Sequence, residues 1–210
     1  MSIVRPGKII GVGRNYVEHA AELGNAVPKQ PLLFLKPPSA VIGDGDAIVL
    51  PPESSQVEYE GEIGVVIGRL LRRGTEADAR TAVAGITCVN DVTARDLQRS
   101  EELWTRAKGF DTFCPIGPRL VAVDPARFAD LEVRSRVNGV ERQHGSARDM
   151  VFGILALVAY ISQVMTLEPG DLIATGTPAG VGPLRAGDVV EVEIPGVGLL
   201  RNPVVAAAGA

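Results

Sequence analysis

The chain is short of several residue types, and each shortage removes a class of function. Only 2 cysteines and 2 histidines occur in 210 residues, and aromatic residues make up 4%. Cys88 and Cys114 stand apart, with no CxxC pair and no neighbouring histidine, which argues against a zinc site and for a reducing compartment. No basic run and no series of stacking aromatics is present. With a formal net charge of -4, the sequence gives no reason to expect nucleic acid or an anionic membrane as partner. The loop GxxxxGK[ST] does not occur, so the ATGTPAGVG stretch is no phosphate loop. The opening MSIVRPGKIIGVG lacks the apolar core of a secretory signal, and the expected location is the cytoplasm. Only one long hydrophobic run exists, Met150 to Leu167. Gly153, Ser162 and Gln163 interrupt it and no Lys/Arg cluster flanks it, so it reads as a buried helix and not a membrane span.

What is present describes one β-rich domain. Hydrophobic residues make up 46% and charged residues 22%, and no low-complexity linker divides the chain. Residues 1–210 are expected to form a single catalytic domain, with a short arm over about 1–7 and a flexible tail over about 204–210. The 24 glycines and 15 prolines punctuate short apolar runs. Gly45-Asp46, Gly170-Asp171 and Gly187-Asp188 each precede such a run, as a turn feeding a strand does. Asn138-Gly139 is a hairpin signal. Three helices are predicted. The first spans Tyr16 to Leu23, capped by Asn15 and stopped by Gly24; the second runs from Ala94 to about Leu103, capped by Thr93; the third follows Asp149.

The stretch VEYEGEIGVVIG, residues 57–68, has a different character. Side chains two apart on a strand share a face, about 6.5 Å apart along its axis, so Glu60 and Glu62 can converge on one point. Alternating glutamate also describes a solvated face. Two features point inward: the strand continues as Gly64-Val65-Val66-Ile67, apolar on both faces, and Gly61 between the carboxylates allows close packing or a bulge. Two buried carboxylates about 5 Å apart repel by roughly 3 kcal/mol at an effective dielectric near 20, so a proton or a cation must compensate. Oxygen ligands alone select magnesium, manganese or calcium over zinc. Asp91, where an apolar strand meets a helix start in VNDVTARD, is the candidate third ligand.

Taken in order, GVGRNYVEHAAELG, LLFLKPPSA, VEYEGEIGVVIG, VNDVTARDLQ, KGFDTFCPIGP and LEPGDLIATGTPAGVG resemble the fumarylacetoacetate hydrolase family from about Lys8 to Asn202. The resemblance is to its small branch of acylpyruvate and fumarylpyruvate hydrolases, oxaloacetate decarboxylases and hydroxyheptadienedioate isomerases. It implies a mixed β-sandwich roll, a homodimer, and a Mg2+ or Mn2+ ion (Ca2+ as a substitute) on Glu60, Glu62 and Asp91. It further implies a small keto-acid substrate. His19 and Glu22, three apart on one helix face, are also what an exposed helical pair looks like; the resemblance makes them a catalytic dyad. Lys108 is expected to meet the substrate's oxyanion or carboxylate, and Arg95, Gln98 and Thr177 to line the substrate site, with Lys36 a weaker candidate. His144 reads as a surface residue.

The expected reaction is hydrolysis of a 2,4-diketo acid through a metal-bound pyruvate enolate, with water activated by His19 and Glu22. Isomerisation or decarboxylation through the same enolate is the alternative, and a metal-binding scaffold without turnover is the non-enzymatic one. The short helix at Tyr16–Leu23 is expected to order over bound ligand.

Overall fold

A computed structural model describes residues 6–22 and 24–207. Leu23 and the extreme ends of the expected arm and tail lie outside the described residues.

The described residues form three sheets. The largest is mixed and seven-stranded, ordered Leu32–Lys36, Ile9–Gly13, Leu172–Ala174, Gly61–Ile67, Val83–Asn90, Cys114–Val121, Val41–Ile42. The second has five strands, ordered Val140–Ser146, Glu132–Val137, Val189–Ile194, Gly198–Ala206, Ile48–Leu50. A small third sheet joins Gly182–Pro183, Val57–Tyr59 and Thr93–Ala94. This is the β-rich α+β roll expected, with five short α-helices among the described residues.

The central strand Gly61–Ile67 is buried on both faces. Ile63, Val65 and Ile67 join the main core with Leu157 and Ile161 of the helix Ile154–Val164 and with Val133 and Val192 of the five-stranded sheet. Val66, on the other face, packs with Val89 and Leu172. A strand enclosed on both sides carries a continuous apolar run, which is why the alternation of VEYEGEI stops at Ile63.

The three Gly-Asp turns precede strands as predicted, and they share one device. In each, the aspartate carboxylate accepts a backbone N–H three residues upstream: Gly43 to Asp46 (2.8 Å), Glu168 to Asp171 (2.7 Å) and Arg185 to Asp188 (2.7 Å). Asn138-Gly139 closes the hairpin of Glu132–Val137 and Val140–Ser146, both with positive φ (52° and 78°), as a type I′ turn requires. The apolar run after Asp149 forms an 11-residue helix, Ile154–Val164. No helix among the described residues is long and apolar enough to cross a membrane.

Four local expectations need correction. Asn15 caps no helix: its amide donates to Phe152 O and Thr175 O, and its Oδ1 accepts from Phe152 N, so it ties three segments together. The helix itself runs Val17–Glu22, and Tyr16 is a buried bridge partner of Met150. Thr93 pairs with Glu58 and spends its hydroxyl on Asp91 O, so the next helix, Arg95–Ser100, starts later and stops short of Leu103. Asp149 lies in a 3-10 turn, and Gly153 precedes the long helix. Finally, the strand Gly198–Ala206 stays paired with Ile48–Leu50, so residues 204–206 belong to the sheet and not to a tail.

Candidate active site

The antiparallel register builds the site. Pairing Gly61 with Asn90 sets Asp91 opposite Glu60, and Asp91 N donates to Glu60 O at 2.8 Å. Asn90 Oδ1 in turn accepts from Glu60 N at 2.9 Å. Glu60 thus sits at the break between Val57–Tyr59 and Gly61–Ile67, held by two bonds to the neighbouring strand end. Gly61 is required by packing: a Cβ there would lie 2.0 Å from Ser135 Oγ. Gly176 is required likewise, since a Cβ would lie 2.7 Å from that of Asn15, and its N–H is aimed at Glu62 Oε2 (2.8 Å).

Glu60, Glu62 and Asp91 are all buried, each offering an oxygen within 4.8 Å of the others. Four buried carboxylates, counting Glu58, stand among three buried cations. Arg95 donates from Nε to Glu58 (2.7 Å), from Nη2 to Glu60, and from Nη1 to Gln98 Oε1 (2.5 Å). Lys108 Nζ bridges Glu60 (2.9 Å) and Asp91 Oδ2 (2.5 Å). Lys36 Nζ lies 2.6 Å from Asp91 Oδ1 as an ion pair, outside hydrogen-bond alignment, and donates to Val92 O at 3.2 Å.

This arrangement splits the titration of the two glutamates. Burial disfavours the Glu60 carboxylate, but Lys108 and Arg95 outweigh it and hold the carboxyl well below its usual range. Among the described residues no cation pairs with Glu62. Burial first, then the charges of Asp91 and Glu60, push its carboxyl well above the usual value. Burial works against the Lys108 ammonium, yet Asp91 and Glu60 raise it.

A hard divalent cation fits here on two observations. Asp91 Oδ1 is buried and accepts no aligned hydrogen bond, its counter-charge being the Lys36 ammonium 2.6 Å away. The donor set is all oxygen, and burial together with the charges of Asp91 and Glu60 raises Glu62.

The cluster forms one wall of a cavity of about 290 Å³, also lined by His19, Gln98, Thr177, Phe34 and Trp104. His19 is buried, with Nδ1 3.2 Å from Glu22 Oε2, and Glu22 Oε1 accepts from Gly180 N at 3.0 Å. An ionised carboxylate only accepts, so in this contact Nδ1 is the donor and Glu22 orients the ring.

Of the ten residues singled out in the sequence, eight line this cavity. Glu22 stands behind His19, and Lys36 behind Asp91, its ammonium already spent on the protein. Thr177 lines the cavity, but its hydroxyl donates to Gly61 O (2.9 Å) and accepts from Gln143 Nε2 (2.7 Å), so its proton is directed away from a substrate carboxylate. Sequence reasoning passed over Gln143, which also receives the Gly61 N–H (3.0 Å), and Arg14 and Arg99 on the cavity wall. His144 lies on the surface, beside Glu132. Burial pushes the thiols of Cys88 and Cys114 up to about 12, so neither is a thiolate.

A β-rich roll that gathers a buried oxygen-ligand cluster and a carboxylate-held histidine around one polar cavity has the layout of an enzyme. The chain belongs to the fumarylacetoacetate hydrolase family: the family model for the fumarylacetoacetate (FAA) hydrolase C-terminal domain matches residues 8–205. It is 44% identical over 213 residues to the human mitochondrial oxaloacetate tautomerase FAHD2A, covering 97% of this chain and 68% of that protein. Among solved structures, it is similar to 5-carboxymethyl-2-hydroxymuconate delta-isomerase from Mycobacterium smegmatis (45% identity, TM-score 0.89, 98% of this chain and 81% of that one). It is also similar to 2-hydroxyhepta-2,4-diene-1,7-dioate isomerase from Mycobacterium marinum (48%, 0.89, 98% and 77%).

Proposed function

We propose that this enzyme is an isomerase that shifts a proton next to the keto group of a small 2-oxo acid, interconverting its keto and enol forms. The observation that carries this reading is the His19–Glu22 pair set into the same cavity as Glu60, Glu62 and Asp91. Its similarity to a tautomerase and two isomerases supports it.

Glu60, Glu62 and Asp91 would hold magnesium or manganese. When bound, that dication supplies Lewis acidity that holds the carboxylate and keto oxygens of the substrate head. The remaining work falls to side chains. His19 Nε2 takes the proton from the carbon beside the keto group and returns it at the new position. Glu22 keeps the ring in the productive tautomer and steadies the imidazolium that forms. Lys108 has an N–H left over from its two carboxylate bonds and faces the developing oxyanion, as does the free amide of Gln98.

A second reading, hydrolysis of a 2,4-diketo acid into pyruvate and a second acid, uses the same dyad to activate water. The size of the cavity favours it, since about 290 Å³ leaves room for a water beside a small substrate. A panel decides between them. Oxaloacetate tautomerisation, hydroxyheptadienedioate isomerisation and acetylpyruvate cleavage are each assayed with magnesium and with chelator. The expected result is magnesium-dependent proton transfer on the first two, falling by about 10²–10⁴ in His19→Ala. Faster cleavage of acetylpyruvate than any isomerisation would make the enzyme a hydrolase instead.

A further inference from the structure

The strand that carries Glu62, and starts just after Glu60, loses its neighbour on one side where the carboxylates begin. Leu172–Ala174 pairs with Val66, Val65 and Gly64 and goes no further. Past Ala174 the chain still runs beside Gly61–Ile63, but the ladder stops. Thr175 spends both its N–H and its hydroxyl on Ile63 O, and Gly176, at φ 100°, gives its N–H to the Glu62 carboxylate. Side chains then take over the backbone bonds that a strand would make. The Thr177 hydroxyl donates to Gly61 O (2.9 Å), and Gly61 N donates to Gln143 Oε1 (3.0 Å).

Gln143 reaches this point from the other sheet. It is 1% exposed, on the edge strand Val140–Ser146, whose first three residues are all exposed. Its amide nitrogen donates to Thr177 Oγ1 and to Pro178 O, both at 2.7 Å, so both of its N–H groups are used. The amide has one workable orientation. Flipped, it would set its oxygen against the Pro178 carbonyl and its NH2 against the Gly61 N–H. Gly61 N, Gln143, Thr177 and Gly61 O thus close a ring around the one residue between the two glutamates. The edge strand is pressed hard against the loop it holds. A Cβ on Gly180 would lie 2.0 Å from Arg142 O, and one on Gly145 2.5 Å from Pro178 Cβ. The same loop steadies the other half of the site, since Gly180 N donates to Glu22.

We infer that Gln143 is a positioning residue for the cation ligands: from outside the cavity it fixes the Glu60–Gly61–Glu62 backbone through Gly61 and Thr177. This role rests on the proposed cation site and adds what holds its ligands in place. A carboxylate is only as well placed as the peptide that carries it, and losing such an outer partner costs about 10–100-fold in metal affinity.

Manganese affinity, measured by calorimetry on the full folded chain, tests this without turnover. Gln143→Met keeps the length of the side chain and removes all three bonds, and it should weaken manganese binding by about 10–100-fold. Ile161→Ala, which deletes core contacts of the helix Ile154–Val164, should lower Tm and leave the affinity unchanged. Thr177→Val should weaken binding as well, whereas Thr177→Ser, which keeps the hydroxyl, should not. Because the two side chains act as one ring, the double variant Gln143→Met/Thr177→Val should fall short of the product of the single losses. Wild-type affinity in Gln143→Met would overturn the role. So would an equal loss in Ile161→Ala, or losses that multiply in the double variant. Should Gln143→Met fail to fold, the Thr177 pair reads the same ring, and equal affinity in Thr177→Val and Thr177→Ser would overturn it. Failure of wild type to bind manganese would overturn the cation site beneath.

Discussion

Two strands of this chain alternate valine or tyrosine with glutamate, and they put those glutamates to opposite uses. In VVEVEI, residues 189–194, the pattern means what it usually means. Val190, Val192 and Ile194 are buried, and Glu191 and Glu193 face outward to Arg201 (3.4 Å) and Arg136 (2.7 Å), whose side chains are 61% and 26% exposed. In VEYEGEI, residues 57–63, every residue is buried, and the glutamates meet Arg95, Lys108 and a backbone N–H in the interior. What separates the two is context. The first strand belongs to a sheet with one wet face, whereas the second runs on into a strand covered on both sides. Buried carboxylates require partners, and the partners come from far along the chain, the wet strand's from its own sheet.

The largest expected contrast is in stability. Arg95→Met leaves Glu58 and Glu60 buried without their guanidinium partner and should cost about 3–5 kcal/mol. Arg136→Met breaks a partly exposed pair with Glu193 and should cost about 0–1 kcal/mol. Urea unfolding of both variants checks this; equal losses would mean that the inner cluster is solvated after all. Next comes Gly61→Ala. Its new methyl has Ser135 Oγ in the way, and overpacking of this kind costs about 1–3 kcal/mol. The double variant Gly61→Ala/Ser135→Gly should recover part of the loss.

The smallest effect concerns pH. Glu62 has a folded pKa raised above its unfolded one, so its contribution to stability is complete below the ordinary glutamate range and is lost as pH rises through the folded value. Chelated protein should therefore show a lower Tm at pH 8 than at pH 6 from this group. Glu62→Gln should flatten that slope, and so should magnesium. An unchanged slope in Glu62→Gln would assign the pH dependence elsewhere.

Much of the site could be read from the residues because it is local in the chain. The carboxylates lie two apart on one strand and Asp91 ends the strand beside it, whereas the spacing of His19 and Glu22 alone describes an exposed helical pair and only the family resemblance marks it out. The sheet-forming turns were legible for the same reason, since a Gly-Asp or Asn-Gly pair carries its own geometry. The failures share a cause as well. Asn15, Thr93 and Asp149 all look like helix caps, yet the first two spend their side chains on other backbone groups and the third sits in a 3-10 turn. A cap residue has equivalent uses that only tertiary structure decides between. Gln143 was invisible because its three bonds, to Gly61, Thr177 and Pro178, all reach across the chain. Lys36, the weaker ligand-binding candidate, reads as a free lysine in the sequence because its counter-charge, Asp91, lies far along the chain.

The central claim is that Glu60, Glu62 and Asp91 gather around one hard cation. Anomalous diffraction from crystals soaked in manganese tests it most directly. The account predicts a single strong peak within bonding distance of all three carboxylates, absent in Glu62→Gln crystals soaked in the same way. A peak elsewhere, or an empty cluster with Lys108 still bridging Glu60 and Asp91, would contradict it.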